Sequence, residues 1–123
     1  MRRSMRTVAI VEDDPSMRRS LQRLLGAYGF QPLEFSSAEA FLNRGSEGGV
    51  DCLVLDVELG GMSGIDLMRK LNEVGSTLPV IVITALESTS VRAQVERLGC
   101  IAFLRKPFDA ALLIAAINAA LTQ

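Results

Sequence analysis

The 123-residue sequence predicts an α/β fold, a doubly wound five-stranded parallel sheet with helices on both faces. Short apolar runs at residues 8–11, 53–55, 80–83 and 101–104, bounded by turn residues, read as strands buried on both sides. Segments with apolar residues at helical spacing separate them, so strand and helix alternate five times without a repeat or a linker. The polar chemistry sits where the runs stop. Glu12, Asp13 and Asp14 follow the first, Asp56 closes the second, Thr84 closes the third, and Lys106 follows Phe103 and Leu104.

Residues 1–5 read as a frayed tail. The first strand feeds a helix that Asp14 or its neighbour can cap, with Pro15 near its first turn. Met17, Leu21, Leu24 and Leu25 form its apolar stripe, and Gly26 and Gly29 punctuate its end. Residues 31–35 make a short, partly exposed strand. Ser36 with Glu39 three positions later has the form of a capping box, which places a second helix over Ala38, Phe41 and Leu42 that stops by Gly45. After a loop at residues 45–49, residues 51–56 are the central strand. Gly60-Gly61-Met62-Ser63-Gly64 is a flexible turn into a helix carrying Ile65, Leu67, Met68 and Leu71. Pro79 opens the fourth strand. Ser88, Thr89 or Ser90 can cap the next helix, over Val91, Val95 and Leu98, and Gly99 ends it before the last strand. Asp109 starts the final helix. Its stripe of Ala110, Leu113, Ile114, Ile117 and Leu121 is expected to face the sheet, leaving Leu112, Ala115, Ala116 and Ala119 on the other sides. This succession gives the flavodoxin-like strand order 2-1-3-4-5.

A chain of this length suits one domain, residues 1–123, that removes roughly two-thirds of its unfolded surface from water. Hydrophobic residues at 49% and charged residues at 22% exclude a disordered acidic tail. A net charge of -1 offers no general affinity for phosphate backbones, so direct nucleic-acid binding is not expected. Cys52 and Cys100 lack the spacing of a zinc site or redox pair and read as small buried hydrophobes in a reducing compartment. The apolar run after the Met-Arg-Arg start is too short for a signal peptide, and nothing is long enough to span a membrane. A cytoplasmic protein is the expectation.

In an open α/β sheet, ligands bind beyond the carboxyl ends of the strands. Carboxylates there, facing one lysine and one hydroxyl, suit a divalent cation and a phosphoryl group. Magnesium takes oxygen ligands and needs only one or two carboxylates beside a phosphate, which Asp13 and Asp56 can provide. Adjacent acids after a strand can also simply cap the next helix. Asp56 is the candidate nucleophile, because a carboxylate can accept a phosphoryl group as an acyl phosphate.

Glu12-Asp13, Asp56, Thr84, Phe103 and Lys106-Pro107, in that order over residues 6–121, resemble the receiver domain of two-component response regulators. Phe35-Ser36-Ser37-Ala38-Glu39 and Asp51-Cys52-Leu53-Val54-Leu55-Asp56 are further similar to receivers attached to LuxR-type transcription factors. The resemblance implies a phosphorylation-operated switch that catalyses only its own phosphorylation and dephosphorylation. It implies that Asp13 and Asp56 ligate Mg2+ directly, that the backbone carbonyl of Glu58 adds a third oxygen, and that Glu12 reaches the ion through water. Lys106 would pair with Asp56 at rest and later contact the phosphate, ahead of a cis bond to Pro107. Thr84 would donate its hydroxyl to the phosphate, and Phe103 would turn into the space vacated.

The implied partner is a sensor histidine kinase, since the chain contains no histidine. The surface of the fourth helix, fifth strand and fifth helix would then control a phosphorylation-dependent homodimer or an effector domain. Where the family usually has proline four residues after the nucleophile, this chain has Gly60 and Gly61, a lost restraint of about 0.4 to 1 kcal/mol. The competing reading is a Mg2+-dependent phosphatase with an Asp nucleophile, of the haloacid dehalogenase type. That class needs a second Asp where this chain has Glu58, and its nucleophile lies on the first strand.

Overall fold

Five parallel strands and five helices alternate along the chain. They are β1 (Thr7–Val11), α1 (Pro15–Ala27), β2 (Gln31–Phe35), α2 (Ala38–Leu42), β3 (Cys52–Asp56), α3 (Gly64–Glu73), β4 (Val80–Thr84), α4 (Thr89–Arg97), β5 (Ala102–Arg105) and α5 (Ala110–Leu121). The computed structural model describes residues 5–44 and 49–122; most of the expected tail lies outside them, and helix two ends at Leu42, before Gly45 as expected. The strand order is β2-β1-β3-β4-β5, as the alternation predicts. Among the described residues, no helix is long and apolar enough to cross a membrane.

Alternation along the strands divides the core into two layers. Val8, Ile10, Cys52, Val54, Ile81 and Ile83 face α1 and α5, where Leu21, Leu25, Leu113 and Ile117 cover them. Ala9, Val11, Leu53, Leu55 and Val82 face the other way, onto Phe41, Leu67, Met68 and Val95 of α2, α3 and α4. Residues on both faces of β3 and β4 are buried, which explains their unbroken apolar runs. Each fully buried side chain of this size contributes about 1.5–3 kcal/mol by leaving water.

The register Val8 to Cys52, Val54 to Ile81 and Ile81 to Ala102 brings the carboxyl ends of the strands to one edge. β1 lies between β2 and β3, so the chain reverses its winding direction there. That crevice, between the ends of β1 and β3, is where such sheets bind ligands. The edge strand β2 turns alternate residues to its neighbour: the Gln31 N–H donates to the Arg6 carbonyl at 2.8 Å, and the Phe35 carbonyl accepts from the Glu12 N–H at 3.1 Å. Pro32, level with Val8, lies between them.

Short polar residues start every helix. Asp14 accepts from the Ser16 N–H ahead of Pro15, Ser63 from Asp66, Ser88 from Val91, and Asp109 from Ala111. Two sequence expectations are corrected. The cap of α2 is Ser37, whose hydroxyl accepts from the Ala40 N–H, and not Ser36, because burying Ala38 and Phe41 starts the helix one residue later. In α5, Leu113, Ile114, Ile117 and Ala120 are the buried residues, whereas Ala110 is exposed and Leu121 only half-buried. The helix is apolar nearly all round, so the phase is set by its seat against β3 and not by its own pattern.

Candidate functional site

β1 and β3 end level with one another and deliver three acids to the same place. Ligand oxygens of Glu12, Asp13 and Asp56 lie within 4.8 Å of each other. Glu12 and Asp56 are buried, at 1% and 3% exposure, while Asp13 is open to solvent. Lys106 arrives from the end of β5, with a cis bond to Pro107, and its Nζ donates to Glu12 Oε1 at 2.7 Å and to Asp56 Oδ2 at 3.1 Å. The expected pairing with Asp56 is present, and Glu12 is a second partner. The other oxygen of Asp56, Oδ1, accepts from the Glu58 N–H at 3.0 Å.

Charge and burial oppose each other here. Burial pushes the Glu12 carboxyl above its ordinary range, further raised by the charge of Asp56 and only partly offset by the hydrogen bonds from Lys106 and the Asp14 N–H. Burial alone would lower Lys106, but its bonds to Glu12 and Asp56, with both negative charges, outweigh that and raise it. The two shifts are compatible because Glu12 is nearly sealed from water, whereas the lysine side chain keeps 20% exposure.

The remaining predicted residues flank this group. Thr84 ends β4 fully buried, and its Oγ1 accepts from the Leu86 N–H at 3.0 Å. Phe103 is half-buried on β5, with the Arg92 guanidinium 5.1 Å from its ring centroid. Glu58 is exposed just past Asp56. Gly64 closes the corner: a Cβ there would meet the Asp56 carbonyl oxygen at 2.4 Å, so only glycine lets α3 begin this close to β3.

Sequence reasoning missed two contributors. The Gly60 N–H donates to Asp13 Oδ2 at 3.3 Å, and Glu39 accepts from the Met62 N–H at 2.9 Å through Oε2. Gly60 was legible as a departure from proline, which has no N–H to give. Glu39 was marked only as half of a capping box, and its actual partner is 23 residues away.

All four oxygen-bearing or charged groups of the cluster are hard donors or a fixed cation, a set suited to a hard divalent ion beside a phosphate. The three carboxylates fit Mg2+, and Lys106 brings a positive charge onto two of them.

A family model described as the response regulator receiver domain matches residues 8–118. The chain is 39% identical over 114 residues to the transcriptional regulatory protein FixJ of Azorhizobium caulinodans, covering 93% of this chain and 54% of that protein. It is 38% identical to the response regulator protein TmoT of Ectopseudomonas mendocina, covering 93% and 52%. The chain thus spans about half the length of these curated relatives. The crystal structure of FixJ-N superposes with a TM-score of 0.89 at 33% identity, covering 98% of this chain and 97% of that one.

Proposed function

Because the chain belongs to the response regulator receiver domain family, a family of phosphorylation-operated switches, we propose that Asp56 is its phosphoacceptor and that residues 1–123 form one receiver unit. The observation that carries this reading is the position of Asp56. It is a nearly buried carboxylate at the end of the central strand, with one oxygen on Lys106 and both Glu12 and Asp13 beside it. An Asp56 oxygen attacks phosphorus of a phosphohistidine donor whose ring is protonated on its other nitrogen; the P–N bond breaks, its electron pair stays on the ring nitrogen, and neutral imidazole leaves. The chain has no histidine, so the imidazole belongs to a partner, a sensor histidine kinase.

Asp13, Asp56 and the Glu58 carbonyl would hold Mg2+, with Glu12 reaching it through water. When bound, the ion offsets charge on the transferring phosphoryl oxygens. Lys106 shares that task from the end of β5. Thr84 retains its hydroxyl hydrogen while accepting from Leu86, so it can donate to the phosphate and draw the loop after β4 inward. Phe103 follows, and the α4, β5 and α5 surface changes. The output is then a homodimer or an effector domain, and the names of the relatives favour transcription control.

Treatment with a small acyl-phosphate donor and intact-mass measurement test the assignment. One phosphoryl group should appear on the wild type with magnesium, and none on Asp56→Asn. Equal labelling of that variant, or full labelling in EDTA, would overturn it.

A further inference from the structure

The loop between β3 and α3 is tied down at alternate amides, each by a different carboxylate. The Glu58 N–H donates to Asp56 Oδ1 at 3.0 Å, the Gly60 N–H to Asp13 Oδ2 at 3.3 Å, and the Met62 N–H to Glu39 Oε2 at 2.9 Å. The first two acids belong to the site. Glu39 belongs to the first turn of α2, on the far side of the loop. Since Ser37 caps that helix, Glu39 occupies the second helical position rather than the third, and its carboxylate is turned to the loop.

Gly61 supplies independent support. Its φ of +71° is a conformation L side chains avoid, and a Cβ there would lie 2.7 Å from Glu39 Oε2. A Cβ at this position would therefore push the carboxylate, the free end of a flexible side chain, away from its bond to Met62. An amide bonded to a charged acceptor is also stronger than one bonded to a neutral oxygen.

We propose that Glu39 is a positioning residue for the metal site: by holding Met62 it fixes the turn from which Gly60 holds the Asp13 carboxylate beside Asp56. The proposal rests on the reading of Asp13 as a metal ligand. A carboxylate has about four lone-pair directions, so the bond from Gly60 orients Asp13 without using up its capacity to bind an ion. The loop is thus clamped by hydrogen bonds where a proline at position 60 would stiffen the chain covalently.

Backbone amide exchange and magnesium titration by calorimetry test this on the full chain. In Glu39→Ala, exchange at Met62, and with it at Gly60, should rise about tenfold, the loss of one hydrogen bond to a charged group. Magnesium affinity should fall about tenfold, the low end for removing a partner that orients a ligand. Glu39→Gln keeps an acceptor oxygen and should recover most of both, which a loss of helix charge alone would not allow. Gly61→Ala should reproduce the Glu39→Ala behaviour. Unchanged exchange or unchanged affinity in Glu39→Ala, or a Gln variant no better than Ala, overturns the proposal. Wild type that takes up no magnesium would instead overturn the reading of Asp13, and the exchange measurement would still decide whether Glu39 holds the loop.

Discussion

Lys106 sits closer to Glu12, at 2.7 Å, than to Asp56, at 3.1 Å. The lysine therefore neutralises the more deeply buried acid first, and the proposed phosphoacceptor keeps the longer, weaker bond. An incoming phosphoryl group can draw Lys106 off Asp56 while the contact to Glu12 anchors the ammonium near the site.

Ionised Glu12 costs stability despite this partner. Its folded carboxyl is raised, so its contribution is fully present below the unfolded value and is lost as pH rises through the folded one. Relative to wild type, Glu12→Gln should gain stability as pH is raised from about 4 to about 7. Thermal melts of both proteins without magnesium check this; a gap that does not change with pH refutes it.

Gly64→Ala should destabilise the fold by about 1–3 kcal/mol, the range for forcing extra volume into a packed region. The added carbon would meet backbone, the Asp56 carbonyl oxygen at 2.4 Å and Val57 Cα at 2.8 Å, and neither can rotate away. Urea unfolding gives the stability change, and phosphoryl labelling at Asp56 should slow in parallel. A neutral effect on both would show that α3 can move off the strand end.

Cys52 should be inert in the folded protein. Burial pushes its thiol up to about 12, further helped by the nearby Asp51 charge, so the thiol stays protonated. The stability it contributes is complete below the unfolded thiol's value and fades as pH rises toward the folded one. Alkylation at about pH 8 should modify Cys100, half-buried and also raised, only slowly, and Cys52 only after denaturation. Rapid double labelling of native protein would contradict the packing of β3.

Leu112 of α5 is 56% exposed, the largest apolar side chain that the helix turns away from the sheet. We expect weak self-association that strengthens with beryllofluoride and magnesium and is lost in Leu112→Glu. Phosphorylation can drive it only if the two conformations differ in affinity for the partner. Sedimentation decides the matter, and a monomer under every condition at high concentration leaves a different protein as partner.

The strand ends were legible because a buried parallel strand is apolar throughout, so the first acid, hydroxyl or lysine after it marks the carboxyl edge. Asp56 and Thr84 needed no more than that, whereas Lys106 follows exposed Arg105 at the end of half-buried β5 and was marked by Pro107 behind it. The start of α2 was not legible. Ser36 and Ser37 are equivalent in local propensity, and burial of Ala38 and Phe41 chose between them. That one-residue choice also hid the role of Glu39, which looked like half of a capping box and instead bonds a loop distant in sequence. The buried face of α5 escaped for the opposite reason, since a helix of alanine, leucine and isoleucine has no polar side to fix its rotation.

Pro32 has a consequence for the β2 edge of the sheet. Gln31 and Phe35 of β2 point their amide groups at β1, so Pro32 and Glu34 present theirs outward, and the proline has no N–H. A foreign strand laid alongside would find a single donor, at a residue whose carboxylate lies 3.7 Å from Arg18. The β2 margin, one of the sheet's two edges, is thereby a poor template for further pairing, which guards that side against edge-to-edge aggregation.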